Sequence, residues 1–235
     1  MIPEWLYFLF NPTLLSNYGP KFINGLIVTL ELAFISSFIG CFLGIIITLA
    51  RLSNNKLLHY FARTYVYFFR GSPLLTQLFL FYYGLGSMAE FWQKVGLWWF
   101  FQNAWYCCLF ICSLNSAAYQ SEIFRGSFLS VAAGQHEASK ALGLSKTVTF
   151  FKIILPQAMI MAIRPLGNEF ILMIKSSALA SLVTVYDLMG VAKATYSRTF
   201  DFQVYVWAAI LYLLIVELVH RFVILIEYRL TRYLR

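Results

Sequence analysis

Long apolar runs alternate along the chain with short polar connections. A membrane-crossing helix needs about 20 mostly apolar residues, at about 1.5 Å rise each, to cover about 30 Å of hydrocarbon. Five segments meet that length: Phe22 to Leu49, Leu58 to Tyr83, Trp98 to Ile123, Phe150 to Ile174 and Val204 to Ile226. The third and fourth carry the most polar residues. Between the fourth and fifth, KSSALASLVTVYDLMGVAKATYSRTFDFQ is too polar towards its end for a sixth span and is expected to hold a short re-entrant or interfacial helix. The opening MIPEWLYFLFNP lacks the basic start of a cleavable signal. Its Trp5, Tyr7 and Phe8 suit an interfacial segment, where a ring buries its body and keeps a polar edge wet. The pattern predicts an all-α membrane protein with about five transmembrane helices, residues 1–235 forming one transmembrane domain. Gly40 and Gly44 make a Gly-x-x-x-Gly step in the first span, which predicts close helix packing.

Composition agrees with lipid as the solvent: 60% of residues are hydrophobic, 19% aromatic and only 12% charged, with mean hydropathy +0.71. Lys and Arg exceed Asp and Glu, 18 to 10. The cations lie in short clusters between apolar spans and not on one soluble face, so they argue for membrane topology and against nucleic acid. Arg51, Lys56, Arg63, Arg125, Lys140, Lys146, Lys152, Arg221, Arg229, Arg232 and Arg235 fall on one side, 11 against the 4 of Lys21, Lys94, Lys193 and Arg198. The positive-inside rule then puts the N-terminus outside and the C-terminus in the cytoplasm. Cys41, Cys107, Cys108 and Cys112 sit in apolar runs without a histidine nearby and read as small buried hydrophobes. His59, His136 and His220 are too far apart to suggest a metal, so a membrane-embedded metalloenzyme is not indicated.

One stretch departs from the apolar text. EASKALGLSKTVTFFKIILP, Glu137 to Pro156, falls on the cytoplasmic side. Gly134 is expected to cap a helix, with Glu137 three residues on against the orphan N–H groups. Ala138, Ala141 and Leu142 then share one face, opposite Ser139 and Lys140. Gly143 supplies the left-handed residue that ends this helix, and Ser145 caps a second one that feeds the fourth span at Pro156. Over about 134–156 this makes an elbow with small side chains on its exposed face.

Glu137-Ala138-Ser139, then Gly143, then Ile153-x-Leu155-Pro156, resembles the EAA signature of the membrane subunits of ABC importers, with Ser139 in place of the second alanine. FFRGSPLLTQLFLFYYG, SAAYQSEIFRGSFLSVAAGQHEASKALG and LPQAMIMAIRPLGNEFILMIKSSAL resemble successive core helices of the polar amino-acid branch of that family. Within the branch, the resemblance is greatest to subunits for histidine, lysine, arginine and ornithine, or to opine permeases. It implies a type I importer fold in a bacterial inner membrane, with the elbow as a coupling helix. Glu137, Ala138, Ser139, Ala141, Gly143 and Leu144 would dock into a cytoplasmic ATPase. The implied partners are two copies of that ATPase, a second and homologous permease subunit or a second copy of this chain, an external substrate-binding protein, an amino-acid substrate and the lipid bilayer. No Gly-Lys dipeptide occurs, hence no Walker A loop. The chain is therefore expected to carry no cofactor, ATP and Mg being bound by the ATPase subunit.

An ionisable group inside a span is costly unless paired or water-facing, so each is a candidate for function. From the helix rise, Arg70, Asn115 and Glu169 lie about 21, 22 and 20 Å from the cytoplasmic ends of their helices. Glu169, with Asn168 beside it, suits a cationic substrate side chain. The alternative is an internal ion pair with Arg164 or Lys175, or a helix-packing hydrogen bond. Arg70 precedes Gly71-Ser72-Pro73, where proline removes an N–H; together they suit the α-carboxylate of an amino acid. Arg70 can instead pair with Glu122. Glu122 and Arg125, three apart, either pair with each other or form an inner gate. Gln77 is a further candidate to line the path. Ser176 stands where relatives often carry an aspartate, which weakens a two-acid clamp. An ion-coupled secondary transporter using Glu169 or Glu122 as a proton site is the rival reading, but it has no need of a docking elbow.

Overall fold

The computed structural model describes residues 11–231, all of whose regular structure is helical. Trp5, Tyr7 and Phe8, and the tail residues Arg232 and Arg235, lie outside the described residues. The first helix, α1, spans Pro12–Leu52 and starts ten residues before the apolar run at Phe22. Its start is set by local chemistry. Asn11 Oδ1 accepts from Thr13 N at 3.1 Å, and Pro12, lacking an N–H, occupies the first helical position. At 41 residues α1 is about 60 Å long, twice the hydrocarbon thickness. It buries Phe22, Gly25, Thr29, Leu32, Ala33, Ser36, Gly40, Gly44 and Thr48, a mostly small-residue stripe at helical spacing.

The second passage is two helices. α2 runs Lys56–Gly71 behind an Asn55 cap, and α3 runs Leu74–Phe79 and continues as a wide π turn to Leu85. Ser72 (ψ 147°) and Pro73 (ψ 136°) are both extended, so the chain breaks here instead of bending. Short helices α4 (Ala89–Val95) and α5 (Trp98–Phe101) follow, joined through Gly96 at φ 77° and by Trp92 stacked on Phe101 at 4.0 Å. Helix α6, Ala104–Leu129, therefore begins six residues later than the expected third span. α7 (Ala133–Ala141) and the single turn α8 (Lys146–Val148) form the elbow. A π turn, Thr149–Ile154, joins α8 to α9, Leu155–Ser176. The helix does not stop at Pro156: the wider turn before it absorbs the missing N–H, and the path runs on. A 3-10 turn (Ser177–Val183), α10 (Leu188–Thr199) and α11 (Gln203–Leu230) complete the fold.

Three helical stretches, Pro12–Leu52, Lys146–Val183 and Gln203–Leu230, are each long and apolar enough to cross a membrane. The other two expected spans are helical but fall short for visible reasons. One is interrupted at Ser72-Pro73. The other, α6, carries Ser113, Asn115, Ser116, Gln120 and Ser121, all buried inside the protein. The expected short helix between fourth and fifth spans is α10, pinned by the fully buried Asp187. Its carboxylate accepts from Gly190 N at 2.9 Å, Met189 N at 3.3 Å and Tyr212 Oη at 3.3 Å.

The core forms where α1, α3, α6 and α9 meet, around Leu32, Leu78, Ile111, Met173 and Ile174. Cys108 and Cys112 are buried there and Cys107 beside α5, all as free thiols, whereas Cys41 is only half-buried. The expected glycine packing is present. A Cβ on Gly40 would lie 2.8 Å from Ser116 Cβ, and one on Gly44 3.2 Å from Gln120 Cβ. Replacing Gly40 with Val therefore forces α1 off α6 and is expected to cost about 1–3 kcal/mol. Gly19→Ala, which meets only Leu15 at 3.6 Å, should be neutral. Thermal unfolding of both variants in lipid nanodiscs checks this.

Candidate functional site

The helix break leaves carbonyls without helical partners at membrane depth, where each unsatisfied group is expensive. Gln77 and Asn115 supply the missing bonds. Gln77 Nε2 donates to Phe69 O at 2.9 Å, Ser72 O at 3.0 Å and Ser72 Oγ at 2.8 Å. Asn115 Nδ2 donates to Phe69 O and to Gln77 Oε1, each at 3.1 Å. Both side chains are buried. They stitch the break and so hold its shape, a role that the spacing of Gln77 from Pro73 did not reveal.

On the next residue of α6 the network continues. Ser116 Oγ donates to Glu169 Oε1 at 3.5 Å and accepts from Gln120 Nε2 at 2.9 Å; Gln120 also donates to Ser37 O at 2.9 Å. Glu169 is 6% exposed, so its carboxylate reaches only the gap between α6 and α9. Neither expected ion pair forms. Arg164 is exposed and bonds Glu227 on α11 at 2.6 Å, because it points to the opposite side of α9. Lys175 is exposed as well, and among the described residues no lysine or arginine bridges Glu169. Asn168 is exposed too: neighbours on a helix point about 100° apart, so it does not share a ligand with Glu169 through this gap. Ser176, two turns on from Glu169, is half-buried and stands on the same side of α9.

Arg70 does not pair with Glu122. Its guanidinium lies over the Tyr119 ring at 5.2 Å and near enough to Glu169 for their charges to interact. Glu122 is taken instead by Arg51, at the end of α1, and by Arg125, whose Nε and Nη2 donate to Oε2 at 3.0 and 2.8 Å. Arg51 read as a loop cation in the sequence and was not a candidate. Its last-turn position on α1, three residues past the buried Thr48 next to the Glu122 side of α6, was the available signal. Arg51, Arg63, Tyr67, Arg70, Tyr119 and Glu122 line an open cleft of about 650 Å³.

The elbow closes as expected at Gly143 and Ser145 but does not begin at Gly134. Gly143 adopts φ 68°, with Leu144 N bonded to Ser139 O and Gly143 N to Lys140 O, each at 3.0 Å, a Schellman closure. Ser145 Oγ accepts from Val148 N at 3.3 Å. Gly134, however, lies inside α7 and not at its cap, which is Ala132 with no side-chain bond. Glu137 consequently sits beyond the first turn. Of the expected docking residues, Ser139 alone is turned inward. Ser139 is buried, its Oγ bonding Gln135 O at 2.6 Å, while Glu137, Ala138, Ala141 and Leu144 are exposed and Leu142 is 75% exposed. The small apolar face of Ala138 and Ala141 is the exposed one, as expected.

A family model for the inner membrane component of binding-protein-dependent transport systems matches residues 36–232. The chain is 41% identical to the nopaline transport system permease protein NocM of Agrobacterium fabrum over 217 residues, covering 92% of this chain and 90% of that protein. It is 37% identical to the octopine transport system permease protein OccM of Rhizobium meliloti, covering 94% and 90%, and 37% identical to the arginine ABC transporter permease protein ArtM of Escherichia coli, covering 74% and 78%. Among solved structures, an amino acid ABC transporter crystallised with histidines matches with TM-score 0.82 and 34% identity, over 92% of this chain and 96% of that one. The MetNI methionine transporter shares the fold at TM-score 0.73 and 20% identity, over 90% and 97%.

If Gln77 and Asn115 act as one stitch, their losses are not additive. Gln77→Leu and Asn115→Leu should each cost about 1–3 kcal/mol, and the double variant little more than the worse single one. A double-mutant cycle on thermal stability measures this.

Proposed function

This chain belongs to the family of inner membrane components of binding-protein-dependent transport systems, and we propose that within it the chain is an importer permease for cationic amino acids or their opine derivatives. The observation that carries the substrate reading is a buried carboxylate within electrostatic range of a guanidinium that forms no ion pair among the described residues. Glu169 presents a buried carboxylate bonded to Ser116, and Arg70, beside the break in the second passage, lies near enough for its charge to act on it. An amino acid with a cationic side chain has the complementary pattern: its cation meets Glu169 and its α-carboxylate meets Arg70. Asn115 and Gln77 shape the break beside Arg70, and Ser176 lies on the Glu169 side of α9 as a further hydrogen-bonding group. Asn168, on the exposed side of α9, would face the path only where a second permease subunit packs against it.

In this proposal two cytoplasmic ATPase subunits bind ATP and Mg and receive the elbows, Leu142, Leu144, Ala138 and Ala141 entering a groove with Glu137 at its rim. A second permease subunit completes the path, and an external binding protein delivers substrate. The chain lies in the bacterial inner membrane with its N-terminus outside and C-terminus in the cytoplasm, residues 1–235 forming one permease domain. Closure of the ATPases draws the elbows together and opens the path outward; hydrolysis resets it. The Arg51–Glu122–Arg125 cluster ties α1 to α6 on the cytoplasmic side and serves as the inner gate.

Reconstituted complexes test both parts. Glu169→Gln should lower lysine or arginine uptake about tenfold or more, as loss of a charged hydrogen bond implies, and a neutral amino acid by less than about twofold; equal losses would leave Glu169 a packing residue. Glu137→Lys, together with Gly143→Val at its positive φ, should lower copurification of the ATPase and substrate-stimulated hydrolysis while the permease stays in the membrane. Normal hydrolysis in both would remove the elbow from the coupling path.

A further inference from the structure

At the end of the protein where α1 and α11 begin, α1 and α10 enclose a cavity that the proposed function does not use. Gly25 brings these two helices together: a Cβ there would lie 2.8 Å from Val191 Cγ2 and 3.1 Å from Asp187 O. Beside that contact is a space of about 410 Å³. Gly25, Val28, Val191 and Ala194 supply its apolar lining, and Tyr18, Lys21, Asn24, Tyr186, Thr195 and Arg198 its polar lining. Lys21 and Arg198 belong to the small set of four cations on this side of the spans, yet both reach the same cavity from helices far apart in the chain. Lys21 Nζ lies over the Tyr18 ring at 5.0 Å, and neither cation forms an ion pair among the described residues. The acids of this region are already engaged. Asp187 is fully buried and accepts from Met189 N, Gly190 N and Tyr212 Oη, and Asp201 accepts from Gln203 N at 2.9 Å. The cavity thus carries positive charge with no carboxylate in its lining.

We propose that this cavity binds the phosphate of an anionic phospholipid, of the phosphatidylglycerol type, in the leaflet at this end of the protein. Depth is the first argument. Lys21 immediately precedes the apolar run that starts at Phe22, and Trp207 packs edge-on against Phe22 with ring centroids 5.6 Å apart. Tyr and Trp rings collect where headgroups meet hydrocarbon, so Tyr18, Tyr186 and Trp207 set the cavity at that border. Chemistry is the second. An ammonium and a guanidinium on opposite walls match a phosphate, with Asn24 and the hydroxyls of Tyr18, Tyr186 and Thr195 as further hydrogen-bonding groups. The apolar lining beneath suits the first carbons of an acyl chain. An acidic side chain of a docking protein fits less well, because it would bring a water-borne carboxylate against that apolar lining. A lipid held here ties α1 to α10, adding to the Gly25 contact and to the bond from Leu188 N to Thr29 Oγ1 at 3.0 Å. The inference is independent of which substrate is carried.

The test is native mass spectrometry of the assembled permease–ATPase complex, titrated with phosphatidylglycerol or phosphatidylcholine. Each cation near a lipid phosphate is worth about fivefold in affinity. Lys21→Gln and Arg198→Gln should therefore each weaken phosphatidylglycerol binding about fivefold and the double variant roughly 25-fold, with phosphatidylcholine unchanged. Lys21→Arg, which keeps the charge, should stay within about twofold of the wild type, as should Lys94→Gln, which removes a cation of the same side outside the cavity. Phosphatidylglycerol binding that survives the double variant overturns the proposal, and so does an equal loss in Lys94→Gln, which would mark general surface charge. Inorganic phosphate is the remaining arm. If it displaces phosphatidylglycerol at millimolar concentration and its own binding is lost in the double variant, the ligand is free phosphate and the lipid assignment falls. If the double variant keeps its lipid but loses affinity for the external binding protein, the cavity is a protein-docking site instead.

Discussion

The close approach of α1 to α6 governs what the rest of this protein can do. Gly40 and Gly44 leave no side chain between the two backbones, so Ser116 and Gln120 of α6 lie directly on α1. At that distance side chains reach main-chain oxygens of the neighbouring helix: Gln120 donates to Ser37 O at 2.9 Å, and Thr48 Oγ1 to Ser121 O at 3.1 Å. In lipid, where hydrophobicity does not drive helices together, small-residue packing and such bonds hold them. α1 thereby shields one side of α6 from hydrocarbon. That shielding lets α6 carry Ser113, Asn115, Ser116, Gln120 and Ser121 through a membrane at all, and two of these residues lead to the helix break and to Glu169.

How far the chain announced this depends on whether the signal was local. The Gly-x-x-x-Gly step, the left-handed Gly143 and the Ser145 cap are chemistry within a few residues, and each stands where the sequence placed it. Convergence of Asn115 and Glu169 was also legible, because depth along a helix is nearly fixed by residue count: Ser116, adjacent to Asn115, bonds Glu169. Direction around a helix was not. Asn168, beside Glu169, stands at the wrong angle, Arg164 reaches outward to Glu227, and Ser139, expected on the docking surface, faces inward. Periodicity defines a face, but only tertiary contacts decide which way it points.

The same limit applies to charge. Arg51 counts towards the excess of cations on one side of the chain's spans, yet its side chain is 12% exposed and bound to Glu122. A residue can satisfy a topology rule and hold two helices together at once, since insertion and packing act on the same group. Pairing of Arg70 with Glu122 was plausible from sequence separation alone; the end of α1 reaches that carboxylate instead and leaves Arg70 over Tyr119, within electrostatic range of Glu169. The availability of Arg70 is therefore a consequence of where α1 ends.

The elbow and the buried carboxylate share one stretch of backbone. From Lys146 the chain runs as helix through a π turn into α9, and Glu169 lies 23 residues on, about 35 Å along this path. The Schellman closure at Gly143 fixes α7 at a corner, while its apolar side, Leu142 foremost, stays open. A force applied to α7 thus reaches α9 with little slack except at the π turn, where Pro156 removes a backbone bond and the helix is locally wider. Displacement of the elbow would be expressed as rotation or shift of α9 beyond that turn. There Gly167 packs closely on Val223 of α11 while Glu169 accepts from Ser116 of α6, so a shift of α9 at this level acts on both neighbouring helices.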